Sequence, residues 1–300
     1  MLNQIRAFFL ERDVLEVETP LLAAAGVTDP AIEPFCVPHG VSLPAPRFLQ
    51  TSPEYAMKRL LSAHGQAIYQ VCKAFRDGEA GARHNPEFTL LEWYRPGLDH
   101  HALMEEVAEL VCSVLGDRPH RSISYRQVFL QQLSVDPMRA TSQELAQVAR
   151  QHLDPGDLEG GRDLWLDLLM SHVIEPWLAD QGMCFVYDYP SSQAALARIV
   201  PAGDVSVGQR FELYVDGLEL ANGYYELADA AEQRSRFDAD NAHRRECGLA
   251  ERAADEQLLA ALEQGLPDCS GVALGLDRLL MLALGETDIR AVLAFDWDNA

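Results

Sequence analysis

The pattern of apolar residues in the first hundred positions predicts two helices and then two adjacent strands. Apolar positions recur every three or four residues over 2–12, which predicts a helix. Ser52-Pro53 opens a second predicted helix over 51–63. The runs IYQVCKAFR (68–76) and EFTLLEWYR (87–95) are predicted strands. The 10-residue loop between these strands is long for a hairpin, so we expect it to carry function.

The rest of the chain alternates stretches of helix with groups of strands. Strands mostly follow strands, which favours an α+β fold, an antiparallel sheet flanked by helices, over a doubly wound fold. We expect one domain over 1–300, with a mainly helical insertion around 120–182. Further helices are predicted over 102–116, 229–247, 254–264 and 277–285, and further strands over 183–190, 210–227 and 271–275.

Composition and charge narrow the class of protein. The formal net charge of −22 argues against non-specific binding of nucleic acid, which needs a basic surface. Six scattered cysteines form no CxxC pair, so neither a zinc site nor a disulfide framework is predicted, and a reducing cytoplasm is expected. No apolar run reaches 18 residues, so we expect no membrane span.

The segment FELYV-DG-LELA predicts a hairpin with two glutamates on one face. Asp216-Gly217 is a two-residue turn signal, and pairing outward from it sets 214 opposite 219 and 212 opposite 221. Glu212 and Glu219 then lie about 7–8 Å apart between Cα atoms. Two carboxylates at that distance suit Mg²⁺ bridging substrate phosphates. The alternative is a pair of ordinary surface glutamates.

The next residues, ANGYYEL, interrupt the strand pattern. Asn222-Gly223 predicts a bulge, which re-aims the side chains that follow it. Because a bulge resets the alternation, the face taken by Glu226 does not follow from the sequence. Glu226 is either a buried site residue or a surface carboxylate at a strand end.

The segment GVALGLDRLLM places an arginine in the first turn of a helix. Arg278 there faces the positive end of the helix dipole, which is unfavourable unless an anion such as phosphate docks at that end. The alternative is a surface arginine paired with Asp277 or Glu286.

The stretch RDGEAGARHNPEFTLLEWY has a glutamate inside an apolar run. Alternation puts Phe88, Glu92 and Tyr94 on one face of a strand. A buried carboxylate costs several kcal/mol unless it is paired, so Glu92 needs a partner, which a substrate can supply. Arg76, at the strand end, is placed to hold a phosphate, unless it forms an ion pair with Glu92. His84 lies in the loop itself.

Common nucleotide and catalytic motifs are missing from the sequence. It has no GxGxxG, GxxxxGK[ST], GxSxG or HExxH. A nucleotide is therefore expected to bind on a sheet, through arginines and carboxylates.

Three segments together resemble the catalytic core of class II aminoacyl-tRNA synthetases. LEVETPLL resembles motif 1, FRDGEAGARHNPEFTLLEWY motif 2 and GVALGLDRLLM motif 3. TSPEYAMKRLL, RHNPEFTLLEWY and ELANGYYELADAAEQ resemble the lysyl branch. The resemblance runs from about residue 3 to the C-terminus and implies ATP as a substrate, Mg²⁺ as a bound metal and, through motif 1, a homodimer.

The resemblance also implies roles for individual residues. Arg76 and Arg278 are the catalytic residues, with Arg76 on the α-phosphate of ATP and the substrate carboxylate. His84 and Asn85 line the nucleotide site, Phe88 and Arg278 sandwich adenine, and Glu212 and Glu219 hold Mg²⁺. The residues implied for the amino acid are Glu54, Glu92, Tyr94, Asn222, Glu226 and Ala273.

The chain starts almost at motif 1, so we expect no anticodon-binding OB-fold. It thereby resembles truncated paralogues of lysyl-tRNA synthetase, which transfer (R)-β-lysine to a lysine of elongation factor P. Ala273 stands where lysyl synthetases have glycine, which suits a change of lysine isomer. A tRNA acceptor is disfavoured, but a short transferase acting on tRNA or a free amine, and a non-catalytic amino-acid-binding paralogue, stay open.

Two departures from the lysyl pattern concern loops. Motif 2 has FRDG in place of FRNE, with Glu79 one place later, so the adenine-side role of that glutamate is in doubt. Ala195 stands where related chains often have serine or proline.

Overall fold

The computed structural model describes residues 1–38, 40 and 45–300, which group into two compact units. Unit 1 holds 1–99, 113–115 and 227–300, and unit 2 holds 100–112 and 116–226.

The helices are α1 (Leu2–Leu10), α2 (Glu54–His64), α3 (His100–Leu115), α4 (Tyr125–Leu133), α5 (Ser142–His152), α6 (Arg162–Leu169), α7 (Glu175–Ala179), α8 (Ala230–Glu246), α9 (Glu256–Gln264) and α10 (Leu276–Leu284). The strands are β1 (Leu15–Glu16), β2 (Leu22–Ala23), β3 (Cys36–Val37), β4 (Arg47–Leu49), β5 (Ile68–Phe75), β6 (Glu87–Pro96), β7 (His120–Ser124), β8 (Met183–Pro190), β9 (Ile199–Ala202), β10 (Val205–Val215), β11 (Leu218–Tyr225) and β12 (Cys269–Gly275).

Unit 1 is built on the strand order β1-β5-β6-β12. β1 runs parallel to β5, and the other two pairs are antiparallel. Stacking of Phe9 on Tyr69 and its edge contact with Trp93 fix α1 against this sheet. A separate small sheet has the order β2-β4-β3.

Unit 2 has the strand order β11-β10-β8-β7, with β9 paired to β10. β7 is parallel to β8, and the remaining pairs are antiparallel. Helices α4 to α7 bury their apolar faces with β8 in one core that includes Phe129, Trp165, Leu166 and Val186. A short π-helix at Met170–Ile174 joins α6 to α7.

The structure confirms the predicted α+β class and most of the predicted elements. The sheets are mainly antiparallel, with one parallel pair at an edge of each unit's sheet. The stretch 120–182 is mainly helical but begins with the strand β7. A single domain over 1–300 stays a prediction. No helix among the described residues is long and apolar enough to cross a membrane.

Candidate active site

The predicted site residues fall in both units. Unit 2 contains Glu212, Glu219, Asn222 and Glu226. Unit 1 contains Glu54, Arg76, His84, Asn85, Phe88, Glu92, Tyr94, Ala273 and Arg278.

Glu92 is buried in the middle of β6 and is held by two hydroxyl groups. Ser52 Oγ donates to Glu92 Oε2 at 2.5 Å, and Tyr94 OH donates to Oε1 at 2.8 Å. Burial together with the Glu92 charge raises the pKa of Cys72 on β5 to about 12. The two hydroxyls orient the Glu92 carboxylate, and a buried, oriented carboxylate suits the ammonium group of a ligand.

Ser52 also links Glu92 to the start of α2. Its Oγ accepts the Glu54 N–H at 3.1 Å, so one hydroxyl fixes both the helix start and the buried carboxylate. The Glu54 carboxylate lies 2.7 Å from Nζ of the buried Lys58. Ala273 on β12 stands directly opposite Glu92 across the strand pair. The structure thus brings Glu54, Glu92, Tyr94 and Ala273 to one part of unit 1.

Arg76 lies beside the predicted adenine residue Phe88. Its guanidinium carbon is 5.2 Å from the Phe88 ring centroid, and its Nη1 is 3.7 Å from Glu79 Oε1. In the described part of the chain, Arg76 therefore pairs with Glu79 and not with Glu92. Gly78 has φ +80°, which explains the glycine of FRDG: the loop turns left-handed there and directs Glu79 back to Arg76.

Arg278 reaches the loop between β5 and β6 from the first turn of α10. Its Nε donates to Arg83 O at 3.2 Å, and its Nη2 lies 2.7 Å from His84 Nε2. Desolvation lowers the pKa of His84, and the Arg278 charge lowers it further. A lowered pKa favours the neutral form of His84, whose Nε2 can accept a hydrogen bond from Arg278 Nη2. Asp277, the alternative ion-pair partner, accepts the Thr89 N–H at 2.6 Å.

Asn85 has both ends of its side-chain amide engaged. Nδ2 donates to Glu87 O at 2.6 Å, and Oδ1 accepts the Trp297 N–H at 3.0 Å. The nucleotide role of Asn85 stays a prediction, while its contacts place it as a tie between the loop and the C-terminal segment.

In unit 2 the Asp216-Gly217 turn forms as predicted, but the register beyond it differs. Both turn residues have positive φ, and Tyr214 faces Glu219. The expected pairing of 212 with 221 is wrong, because Glu212 faces Asn222. The bulge expected at Asn222-Gly223 lies instead at Leu220, where the register shifts. That shift keeps Glu212, Glu219 and Asn222 on one face.

Glu212 is buried, which excludes the alternative of an ordinary surface glutamate at this position. Tyr189 OH and Tyr214 OH donate to its Oε2 at 2.6 and 2.5 Å, and Arg210 pairs with Oε1. The Arg210 Nε also donates to Asn222 Oδ1 at 3.3 Å. Burial and the Glu212 charge raise the pKa of both tyrosines, so both hydroxyls stay protonated donors.

The hairpin fits Mg²⁺ only if other ligands complete the site. Across the described residues, no group of three His, Cys, Asp or Glu side chains is arranged to hold a metal. Arg210, Glu212 and Glu219 sum to one negative charge. Mg²⁺ in proteins is commonly held by one or two carboxylates plus substrate phosphates and water, which is compatible with this pair.

Glu226 is buried at the end of β11, so the alternative of a surface carboxylate is wrong. Its backbone bridges to Ala197, and Arg198 Nε donates to Glu226 O at 2.7 Å. The same guanidinium lies 4.2 Å from the Tyr225 ring centroid. Ala195 has φ +48°, a conformation that few non-glycine residues adopt.

Several further residues contact the predicted ones and were missed. Arg210 and Tyr214 flank Glu212 at two-residue spacing, so strand alternation could have found them. Ser52 reaches Glu92 across 40 positions, for which the sequence holds no local signal. Arg83 is an exposed cation beside His84 in the same loop, and its place in that loop was the available signal.

Comparison with known proteins decides the family. A family model described as tRNA synthetases class II (D, K and N) matches residues 1–299. The chain belongs to this class II synthetase family. A relative from Vibrio cholerae is 52% identical over 305 residues, and one from Mannheimia succiniciproducens is 49% identical over 304. Each alignment covers 100% of this chain and 94% of the relative, and each relative is named elongation factor P--(R)-beta-lysine ligase.

The class II synthetase assignment confirms the predicted family and catalytic fold. It agrees with the lysyl resemblance, since the family description includes K. The roles of individual residues stay predictions.

Proposed function

We propose that this class II synthetase is an ATP-dependent ligase that activates (R)-β-lysine and transfers it to a lysine side chain of elongation factor P. The proposal is supported by relatives of that name that align along the whole chain at about half identity. The structural observation that carries it is Glu92, a buried carboxylate that the hydroxyls of Ser52 and Tyr94 orient. Such a group matches an amino group of the substrate.

Ala273 supports the choice of lysine isomer. Its methyl group stands opposite Glu92, where lysyl synthetases have a glycine. A one-carbon change in a pocket discriminates by roughly 10–200-fold, which is enough to favour one isomer.

The first step forms the adenylate. A carboxylate oxygen of (R)-β-lysine attacks the α-phosphorus of ATP, and the bond to the bridging oxygen of pyrophosphate breaks. Arg76 binds and orients the α-phosphate, and Phe88 and Arg278 pack on the two faces of adenine. Positioning and charge neutralisation supply most of the rate enhancement in phosphoryl chemistry of this kind.

The second step forms an amide. The neutral ε-amine of the acceptor lysine attacks the acyl carbon, AMP leaves with the electron pair of the broken C–O bond, and the amine loses one proton. No covalent bond to the enzyme is needed in either step.

Magnesium belongs to the proposal through Glu212 and Glu219. When bound, Mg²⁺ would neutralise phosphate charge. Tyr189, Tyr214 and Arg210 hold the Glu212 carboxylate in place.

The setting of the reaction is also a proposal. We propose a homodimer in the cytoplasm, with elongation factor P as acceptor in place of tRNA. The net charge of −22 agrees with a non-nucleic-acid acceptor.

ATP–pyrophosphate exchange with (R)-β-lysine and with L-α-lysine tests the activation step. We expect exchange at least tenfold more efficient with (R)-β-lysine, a preference that Ala273→Gly reduces. Preference for L-α-lysine would favour the transferase acting on tRNA or a free amine. Exchange with neither would favour the non-catalytic paralogue.

The metal assignment has its own test. Glu219→Gln should reduce exchange by more than a hundredfold and weaken Mn²⁺ binding, measured by electron paramagnetic resonance in the presence of ATP. Unchanged exchange in this variant would refute the assignment of Glu219.

A further inference from the structure

The C-terminal segment holds the loop between β5 and β6 at successive residues. The N–H of Ile289 donates to Ala82 O at 2.8 Å, and Ile289 itself is buried. Arg278 donates to Arg83 O at 3.2 Å and contacts the ring of His84. Within the loop, Gly81 bridges to His84 and the Arg76 N–H donates to Pro86 O, and the contacts from the C-terminal segment add to these internal bonds.

The last of these contacts comes from Trp297, well beyond motif 3. Its backbone N–H donates to Asn85 Oδ1 at 3.0 Å, and its ring centroid lies 5.7 Å from that of Phe35. The Asn85 amide in turn donates to Glu87 O, which starts β6. Trp297 therefore fixes the side chain that closes the loop onto its strand.

We propose that Trp297 is a positioning residue for ATP, acting through Asn85. The inference rests on the proposed function, in which His84 and Asn85 line the nucleotide site. Ordering a loop costs conformational entropy, and a loop that is already ordered binds its ligand more tightly. The Trp297 N–H bond stabilises the binding conformation before ATP arrives. Glu92, on β6, lies outside this contact, so binding of the amino acid does not depend on it.

The backbone turn that contains Trp297 allows a variant that removes the hydrogen-bond donor and keeps the turn. Asn299 N–H donates to Asp296 O at 3.1 Å, which makes Trp297 the second residue of a four-residue turn. Proline is favoured at that position and has no N–H. Trp297→Pro therefore retains the turn while removing the donor and the ring. Trp297→Ala removes the ring and retains the donor, so the difference between the two variants isolates the hydrogen bond.

The experiment measures ATP affinity by calorimetry and steady-state exchange for the full chain and both variants. We expect Trp297→Pro to weaken ATP binding about fivefold relative to Trp297→Ala, which is the loss of one hydrogen bond. The KM for (R)-β-lysine should change less than twofold, which also verifies that the variant is folded. Amide hydrogen exchange over 82–87 should accelerate in Trp297→Pro.

A double-mutant cycle with Asn85→Ala checks that the two residues act together. Once Asn85 is alanine, Trp297→Pro should bind ATP no more weakly than Trp297→Ala. Equal ATP affinity of the proline and alanine variants, or additive effects in the cycle, would overturn the inference. A wild type that binds ATP but supports no exchange would refute the proposed function while the calorimetric comparison still decides the role of Trp297. A wild type that does not bind ATP would overturn both.

Discussion

Two buried glutamates, Glu92 and Glu212, are stabilised in different ways. Glu92 accepts from the hydroxyls of Ser52 and Tyr94, which orient the carboxylate. Glu212 accepts from two tyrosines and also pairs with Arg210, which largely balances its charge. The first arrangement suits a substrate cation, and the second suits a metal that arrives together with phosphate.

Tyr94→Phe should weaken binding of the amino acid without affecting ATP. The change removes one donor to Glu92, so we expect the KM for (R)-β-lysine in the exchange assay to rise about five- to tenfold. Tyr69→Phe is the matched control, because Tyr69 donates to Glu16 in the same unit and should leave both KM values unchanged. Similar KM values for wild type and Tyr94→Phe would contradict the assignment of Glu92.

Asp167→Asn should stabilise the protein at high pH only. Burial and the neighbouring Asp163 charge raise the pKa of Asp167 from 3.8 to about 6. A raised carboxyl pKa means that the folded state binds more protons between these values, so its stability falls as pH rises from about 4 to 6. Asparagine removes that loss and retains the acceptor for Gln193 Nε2.

Because Asp167 is partly exposed, the stabilisation at pH 8 should stay below about 1 kcal/mol, or up to about 2 °C in Tm. At pH 4 the two proteins should melt together. An equal Tm difference at both pH values would show that the pKa of Asp167 is not raised.

Some features of individual residues could be predicted from the sequence, and others could not. The burial of Glu92 and its need for a partner followed from its place in an apolar run, and the turn at Asp216-Gly217 followed from its two-residue turn signal. Ser52 did not follow, because its contact with Glu92 joins residues 40 positions apart in the sequence. Lys58 did not follow either, since a charged helix residue is by default read as exposed.

At the scale of elements, the bulge in β11 decides which side chains Glu212 faces. Asn-Gly is a strong break signal, and it predicted the bulge at Asn222-Gly223. The structure places the bulge at Leu220, where Leu220 and Ala221 are both buried and so break the two-residue alternation. Two successive apolar residues were visible in the sequence. Packing, not turn propensity, fixes the register.

The turn at Gly217 should tolerate no side chain. Gly217 and Gly203 both have positive φ, but a Cβ on Gly217 would lie 2.7 Å from Ala179 Cβ, whereas one on Gly203 would meet nothing within 4 Å. Gly203→Ala should destabilise by about 1–2 kcal/mol through backbone strain alone. Gly217→Ala should cost about 1–3 kcal/mol more through the clash. Urea unfolding of both variants measures the difference, and equal losses would mean that α7 moves aside without cost.

For the whole molecule, helix and strand order was predictable where segments are long and periodic. Strands β2, β3, β4 and β9 are two to four residues long, too short for a period to appear, and were missed or only partly predicted. The division of the chain into two compact units also lies beyond the sequence pattern, because it depends on packing between segments that are distant in the sequence.

The N-terminal segment should carry the proposed dimer interface. Leu10, Leu15 and Leu22 are large apolar side chains with 77%, 49% and 44% exposure, and β1 lies at the edge of its sheet. We expect the wild type to sediment as a dimer at micromolar concentration and Leu10→Asp/Leu15→Asp to sediment as a monomer. Leu284→Asp, at a position 61% exposed on α10, is the control and should stay dimeric. A monomeric wild type would refute the proposal.

The acceptor is tested most directly by intact-mass spectrometry of elongation factor P after incubation with this protein, ATP and (R)-β-lysine. We predict one added β-lysyl group on a lysine of elongation factor P, in amide linkage and dependent on ATP. We also predict that tRNA in a parallel reaction stays uncharged. Unmodified elongation factor P in a reaction that forms the β-lysyl adenylate, or aminoacylation of tRNA in its place, would contradict the proposed ligase activity.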